Sequence, residues 1–128
     1  MQQAWAFDCR AYFAGAIGCG QRSRILNPMG TVIGSTSNLF NHTTCRVNMD
    51  YAVVHTDSHH NCHLHKINHA KRKYGDVLKV YSPEGYDATM ISYEGEDQTL
   101  RDVMAEFDIV DIDEYLDQCR DHRKKCIN

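Results

Sequence analysis

His55, His59, His60, Cys62, His63, His65 and His69 gather metal-binding and proton-carrying side chains into a short stretch of the chain. On a helix, His59 and His63 share one face at i, i+4, and His65 and His69 share another. Cys62 sits one turn before His65-Lys66. Paired imidazoles at that spacing can grip zinc or nickel. A working site needs three or four converging ligands, and His59, Cys62 and His63 project from a helix in different directions. The pattern therefore predicts a histidine-rich polar face, sensitive to pH near about 6–7, and assigns no metal ligand. No His-Glu-x-x-His is present, so no metalloprotease base is offered.

A Cys62–histidine pair would also need an oxyanion stabiliser to act as a nucleophile. Nothing in the sequence supplies one, and Cys62 is expected to be an ordinary helix residue. Glu94, Glu96, Asp97, Asp108, Asp111, Asp113 and Glu114 flank predicted helix starts, where carboxylates cap backbone N–H groups and complement the dipole. Gly15-Ala-Ile-Gly18-Cys-Gly20 lacks the lysine and the spacing of a phosphate loop. On the residues alone, no catalytic, cofactor-binding or metal-ligating residue is assigned, and no cofactor is expected.

These groups must be positioned by ordinary elements. Trp5, Cys9 and Tyr12 recur at helical spacing over 3–11, and 12–18 reads as a buried strand. Ser23–Asn27 and Thr31–Ser35 read as strands joined by the turn Asn27-Pro28-Met29-Gly30, in which proline fixes φ and glycine accepts a left-handed backbone. Residues 35–43 form a polar loop. Cys45, Val47 and Met49 alternate with Arg46 and Asn48, predicting a half-buried strand over 44–49. Asp57 or Ser58 can cap a helix that runs to about Tyr74, with Leu64, Ile67 and Lys71 along its face and Gly75 as its stop. Val77–Tyr81 and Ala88–Tyr93 read as strands about the turn Ser82-Pro83-Glu84-Gly85. Thr99–Phe107, capped by Thr99 or Asp97, reads as a helix. So does Asp113–His122, with Tyr115, Leu116 and Cys119 inward, and 123–128 reads as frayed tail.

The 128 residues carry a formal net charge of −3. Lys71-Arg72-Lys73 and the group Arg120, Arg123, Lys124 and Lys125 are too short and scattered for a nucleic-acid face. No apolar run reaches membrane-spanning length. The start Met-Gln-Gln-Ala-Trp-Ala-Phe-Asp lacks the order of a signal peptide, so a cytoplasmic location is expected. Six cysteines, at 9, 19, 45, 62, 119 and 126, are then expected as reduced thiols, with Cys9 and Cys45 in the core.

The order of elements over about residues 3–75 resembles the back third of the nitrilase-like carbon–nitrogen hydrolases. The resemblance is carried by the helix Trp5-Ala6-Phe7-Asp8-Cys9 and the small-residue strand Tyr12-Phe13-Ala14-Gly15-Ala16. Loop glycines Gly18 and Gly20, the turn Asn27-Pro28-Met29-Gly30, the strand Cys45–Asp50 and a helix ending in Tyr74 complete it. Trp5, Asp8 and Cys9 stand where the family has arginine, glutamate and asparagine, and Ile17 where asparagine is common.

The resemblance implies an α/β fold (α+β in isolation), as part of an α-β-β-α sandwich. It divides the chain into a nitrilase-like segment, 1–75, and an extension, 76–128, packed on the same domain. It implies an enzyme that cleaves a small amide, nitrile or carbamoyl bond through a glutamate, a lysine and a cysteine, none of them matched here. This chain would then be structural and inactive alone, partnered by its own copies or by the N-terminal half. The alternatives are a non-catalytic dimeric interaction or regulatory domain, and a histidine-rich metal-binding module.

Overall fold

The computed structural model describes residues 1–56, 63–83 and 87–127. The elements in chain order are α1 (Gln2–Asp8), β1 (Phe13–Gly15), β2 (Arg24–Leu26), β3 (Val32–Ser35), β4 (Tyr51–His55), α2 (His63–Tyr74), β5 (Leu78–Tyr81), β6 (Ala88–Tyr93), α3 (Leu100–Glu106) and α4 (Ile112–Ile127). This is a mixed α/β chain with two small antiparallel sheets, ordered β1-β2-β3 and β4-β6-β5. It divides into two units, Met1–Val47 and Asn48–Asn128. No helix among the described residues is long and apolar enough to cross a membrane.

The first unit is organised by the turn between β2 and β3. Asn27 is buried, and its Oδ1 accepts hydrogen bonds from the N–H groups of Met29 and Thr31, each at 3.0 Å. The Gly30 N–H closes on the Asn27 carbonyl at 2.9 Å. Leu26, Pro28 and Met29 are buried around it, with Ala6 of α1. Gly30 takes φ +77°, and a Cβ there would lie 3.1 Å from the Gln3 carbonyl oxygen. The expected turn, its flanking strands and its glycine are all present.

Helix α1 departs from its expected pattern. It stops at Asp8, and Arg10 takes φ +52°. The Ala11 N–H bonds back to the Ala6 carbonyl, a Schellman-type ending. The helix therefore never reaches Tyr12, and the Trp5–Cys9–Tyr12 stripe is not a continuous buried face. Trp5 is 59 % exposed and Cys9 is exposed. Cys45 is only partly buried, its thiol donating to the Ile33 carbonyl at 3.2 Å. Strand β1 is shorter than 12–18 and half-buried rather than buried.

The second unit is built on β6. Its register with β4 runs from Tyr51↔Ser92 to His55↔Ala88, and with β5 from Leu78↔Tyr93 to Tyr81↔Met90. Val54, Ile67, Leu78, Ile91, Tyr93, Leu100 and Val103 pack into one cluster. The strand expected over 44–49 is absent, and β4 starts later. Asn48 is the reason: its Oδ1 accepts the Asp50 N–H at 2.9 Å and its Nδ2 donates to the Tyr93 carbonyl at 2.7 Å. A side chain that competes for the backbone in this way bends the chain, and pairing with β6 begins beyond the bend.

Helix α2 ends as expected, at Gly75 with φ +60°. Its expected cap, Asp57 or Ser58, lies outside the described residues, as does most of the turn after Pro83. Its inward stripe is His63, Ile67 and Ala70, one residue round from the expected face, and Leu64 is 47 % exposed. Thr99 caps α3 in a reciprocal box with Asp102. Helix α4 continues to Ile127, past the expected frayed tail. Ion pairs Arg120–Asp117 (2.7 Å) and Lys124–Asp121 (3.2 Å) lie along it, and Lys124 and Lys125 suit its last turn. Cys119, expected inward, is exposed.

Gly30→Ala should destabilise the first unit by about 1–2 kcal/mol, because the left-handed backbone rejects a Cβ; urea unfolding reads this. Thr99→Ala should cost about 1 kcal/mol. The Asp102 carboxyl is held below its ordinary range by the N–H and the hydroxyl of Thr99. Its contribution is complete above the unfolded value and disappears as pH falls through the lower folded one. Asp102→Asn should therefore flatten the acid limb of a stability–pH curve.

Candidate functional site

The described residues bring His55 and His63 together, but not as an i, i+4 ligand pair. His55 closes β4 and His63 opens α2. The His63 ring is 1 % exposed, with Nδ1 3.0 Å from the His55 carbonyl oxygen. A carbonyl only accepts, so Nδ1 carries the proton and donates. Tyr115 of α4 stacks on His55, with centroids 4.6 Å apart and planes at 10°, and meets the His63 ring edge-on at 6.0 Å. The His55 Nδ1 is buried without a hydrogen-bond partner. The cluster joins a strand end, a helix start and a helix face.

His65 and His69 are exposed on α2, while His59, His60 and Cys62 lie outside the described residues. Among the described residues no three His, Cys, Asp or Glu side chains converge on a common point. His63 supports the packing of α2 on β4 and is not presented to solvent beside its neighbours.

A cleft of about 460 Å³ lies in the second unit between the start of β4 and the α3–α4 connection. Asp50, Arg101, Asp108, Asp111 and Glu114 supply its charged lining. Most of its carboxylates already hold structural partners. Asp50 Oδ2 accepts the Leu100 N–H at 2.8 Å, and Asp111 Oδ1 accepts the Glu114 N–H at 2.8 Å. Lys66 Nζ donates at 2.8 Å to Asp108 Oδ2, which holds that carboxyl below its ordinary range. Beside the cleft elements, Lys73 and Tyr74 both donate to Glu106 and lower its carboxyl likewise. Carboxylates bound in this way fix helix starts and element contacts. Among the described residues the lining includes no cysteine, serine or histidine. In the first unit a second cleft, of about 530 Å³, carries Gln2, Gln3, Gln21, Arg22 and Arg24.

Sequence reasoning missed two constellations. The stacking of Tyr115 on His55 joins residues 60 positions apart, which no local spacing reveals. The pair His122 and Cys126 is on one helix at i, i+4, with Nε2 3.5 Å from Sγ. That spacing is visible in the sequence, but this stretch reads there as tail. Comparison with known protein families, with curated proteins and with solved structures gives no match.

His63→Ala should destabilise the second unit by about 2–4 kcal/mol, since it leaves a cavity and strips the His55 carbonyl of its donor. Urea unfolding measures the loss, and an unchanged midpoint would remove the structural role given to this imidazole.

Proposed function

We propose that the chain is the C-terminal part of a nitrilase-like carbon–nitrogen hydrolase, architectural in role and without hydrolytic activity by itself. The observation that carries this reading is the β2–β3 hairpin, with Asn27 buried beneath the Pro28-Met29-Gly30 turn and β1 alongside β2. This hairpin supports the reading, whereas the strand that the resemblance expects at Cys45–Asp50 is not formed. The carboxylates of the second unit's cleft are engaged as caps and ion-pair partners, which suits a supporting role. In the complete enzyme a glutamate, a lysine and a nucleophilic cysteine on another segment would cleave a small amide, nitrile or carbamoyl bond. This chain would supply sheet, oligomer contacts and a wall of the pocket as part of an α-β-β-α sandwich.

A second reading is a non-catalytic dimeric interaction domain. It draws on the exposure of Leu39 (89 %), Phe40 (63 %) and Trp5 (59 %) in the first unit, where a monomer would leave large apolar side chains in water.

The test adds the chain in trans to an N-terminal polypeptide carrying the glutamate, lysine and cysteine of a nitrilase-like hydrolase. The chain alone should release no ammonia from small amides, and the mixture should. Turnover by the chain alone that vanishes in Cys62→Ser or Cys19→Ser would overturn the first reading. Light scattering separates the second: a dimer unchanged by reductant supports it, and a monomer at micromolar concentration removes it.

A further inference from the structure

Helix α4 is unusual in what it leaves in water. Every described residue from Asp117 to Ile127 is exposed, so this part of the helix is held by its own hydrogen bonds and by the ion pairs Arg120–Asp117 and Lys124–Asp121. Exposed helical segments of about this length are marginal in water. On this segment stand two soft-metal ligands, His122 and Cys126, one helical turn apart.

The separation of their donor atoms suits a chelate. Cys126 Sγ lies 3.5 Å from His122 Nε2. An ion bound tetrahedrally at about 2.3 Å from sulfur and about 2.0 Å from nitrogen holds those two atoms about 3.5 Å apart. The two ligand atoms thus already have the separation that a shared zinc-class ion requires. Both thiol and imidazole are exposed, so an ion can reach them without opening the fold. We propose that His122 and Cys126 form a binding site for a soft divalent cation of the zinc class, with water completing the coordination shell.

Binding releases the thiol proton to solvent. Sulfur and the neutral imidazole Nε2 each donate a lone pair, and the imidazole proton stays on Nδ1. The site should therefore weaken as pH falls. Asp121 on the same segment favours a cation, while Arg123, Lys124 and Lys125 oppose one. Two protein ligands against this charge make a loading site, not a buried structural one. The ion closes one helical turn between residues 122 and 126, so loading should add helix where the chain is least supported. Cys119 also faces along this helix, seven residues before Cys126. A rise of about 10 Å over seven residues keeps those two sulfurs from one ion, so Cys119→Ser should leave a site made by His122 and Cys126 unchanged.

The experiment titrates cobalt(II), as a spectroscopic stand-in for zinc, into the full chain kept reduced by a phosphine. The expected result is a thiolate-to-cobalt charge-transfer band, with affinity reduced by more than about tenfold in Cys126→Ser and in His122→Asn but unchanged in Cys119→Ser and Cys62→Ser. Far-ultraviolet circular dichroism should show helix gained on adding zinc to the native chain and not to His122→Asn. Cys119, His122 and Cys126 are exposed, so their variants keep the fold, as the metal-free spectra will show. Three results would each overturn the proposal. One is the absence of a thiolate band at saturating cobalt. Another is a band that survives Cys126→Ser or His122→Asn. The third is a band abolished by Cys62→Ser, which would place the ion in the histidine-rich segment instead.

Discussion

Strand β6 is the constraint on which the second unit depends. It takes a hydrogen-bonded neighbour on each edge, and five of its six residues are buried. A strand so enclosed must satisfy its backbone within the sheet, because no water is available to do so. That requirement fixes where β4 and β5 lie, and it explains why β4 begins at Tyr51 and not earlier. Asn48 and Asp50 then stitch the entry to the sheet. Asn48 binds the Tyr93 carbonyl at the end of β6, and Asp50 binds the first N–H of α3. Asp50 thus anchors the start of α3, whose Leu100 and Val103 join the cluster that holds Tyr93 and Leu78.

Much of the chain's apparent chemistry is spent in this way. Asn27, Asp50, Asp102, Asp111 and His63 could each be mistaken for functional residues by type. Each has its hydrogen-bonding capacity directed at a nearby backbone group. An unsatisfied buried N–H or carbonyl costs about 1–3 kcal/mol, so a small chain with short elements needs many side chains to finish its ends. The same economy engages the carboxylates of the cleft beside α3, while His122 and Cys126 at the end of α4 stay exposed.

The first unit presents the opposite situation. Its sheet has three short strands, and β1 and β3 are its edges. Open edges and exposed apolar side chains are costly in a free chain and useful in a larger assembly.

Local chemistry was legible in the sequence where neighbouring residues settle it. The Pro28–Gly30 turn, the stop at Gly75, the Thr99 cap and the bounds of β6 follow from fixed φ, left-handed glycine, hydroxyl capping and apolar content. What depends on distant partners was not legible. The strand expected at Cys45–Met49 gave way because Asn48 found Tyr93. The inward face of α2 turned to His63 because the His55 carbonyl needed a donor. Trp5 and Cys9 stayed outside because α1 closed before its stripe could continue. Tyr115 met His55 only through packing of α4 on β4. Sequence alone determined which residues could cap, turn or ligate; tertiary structure decided which of them were consumed, because a buried polar group must be paired before it is free for anything else.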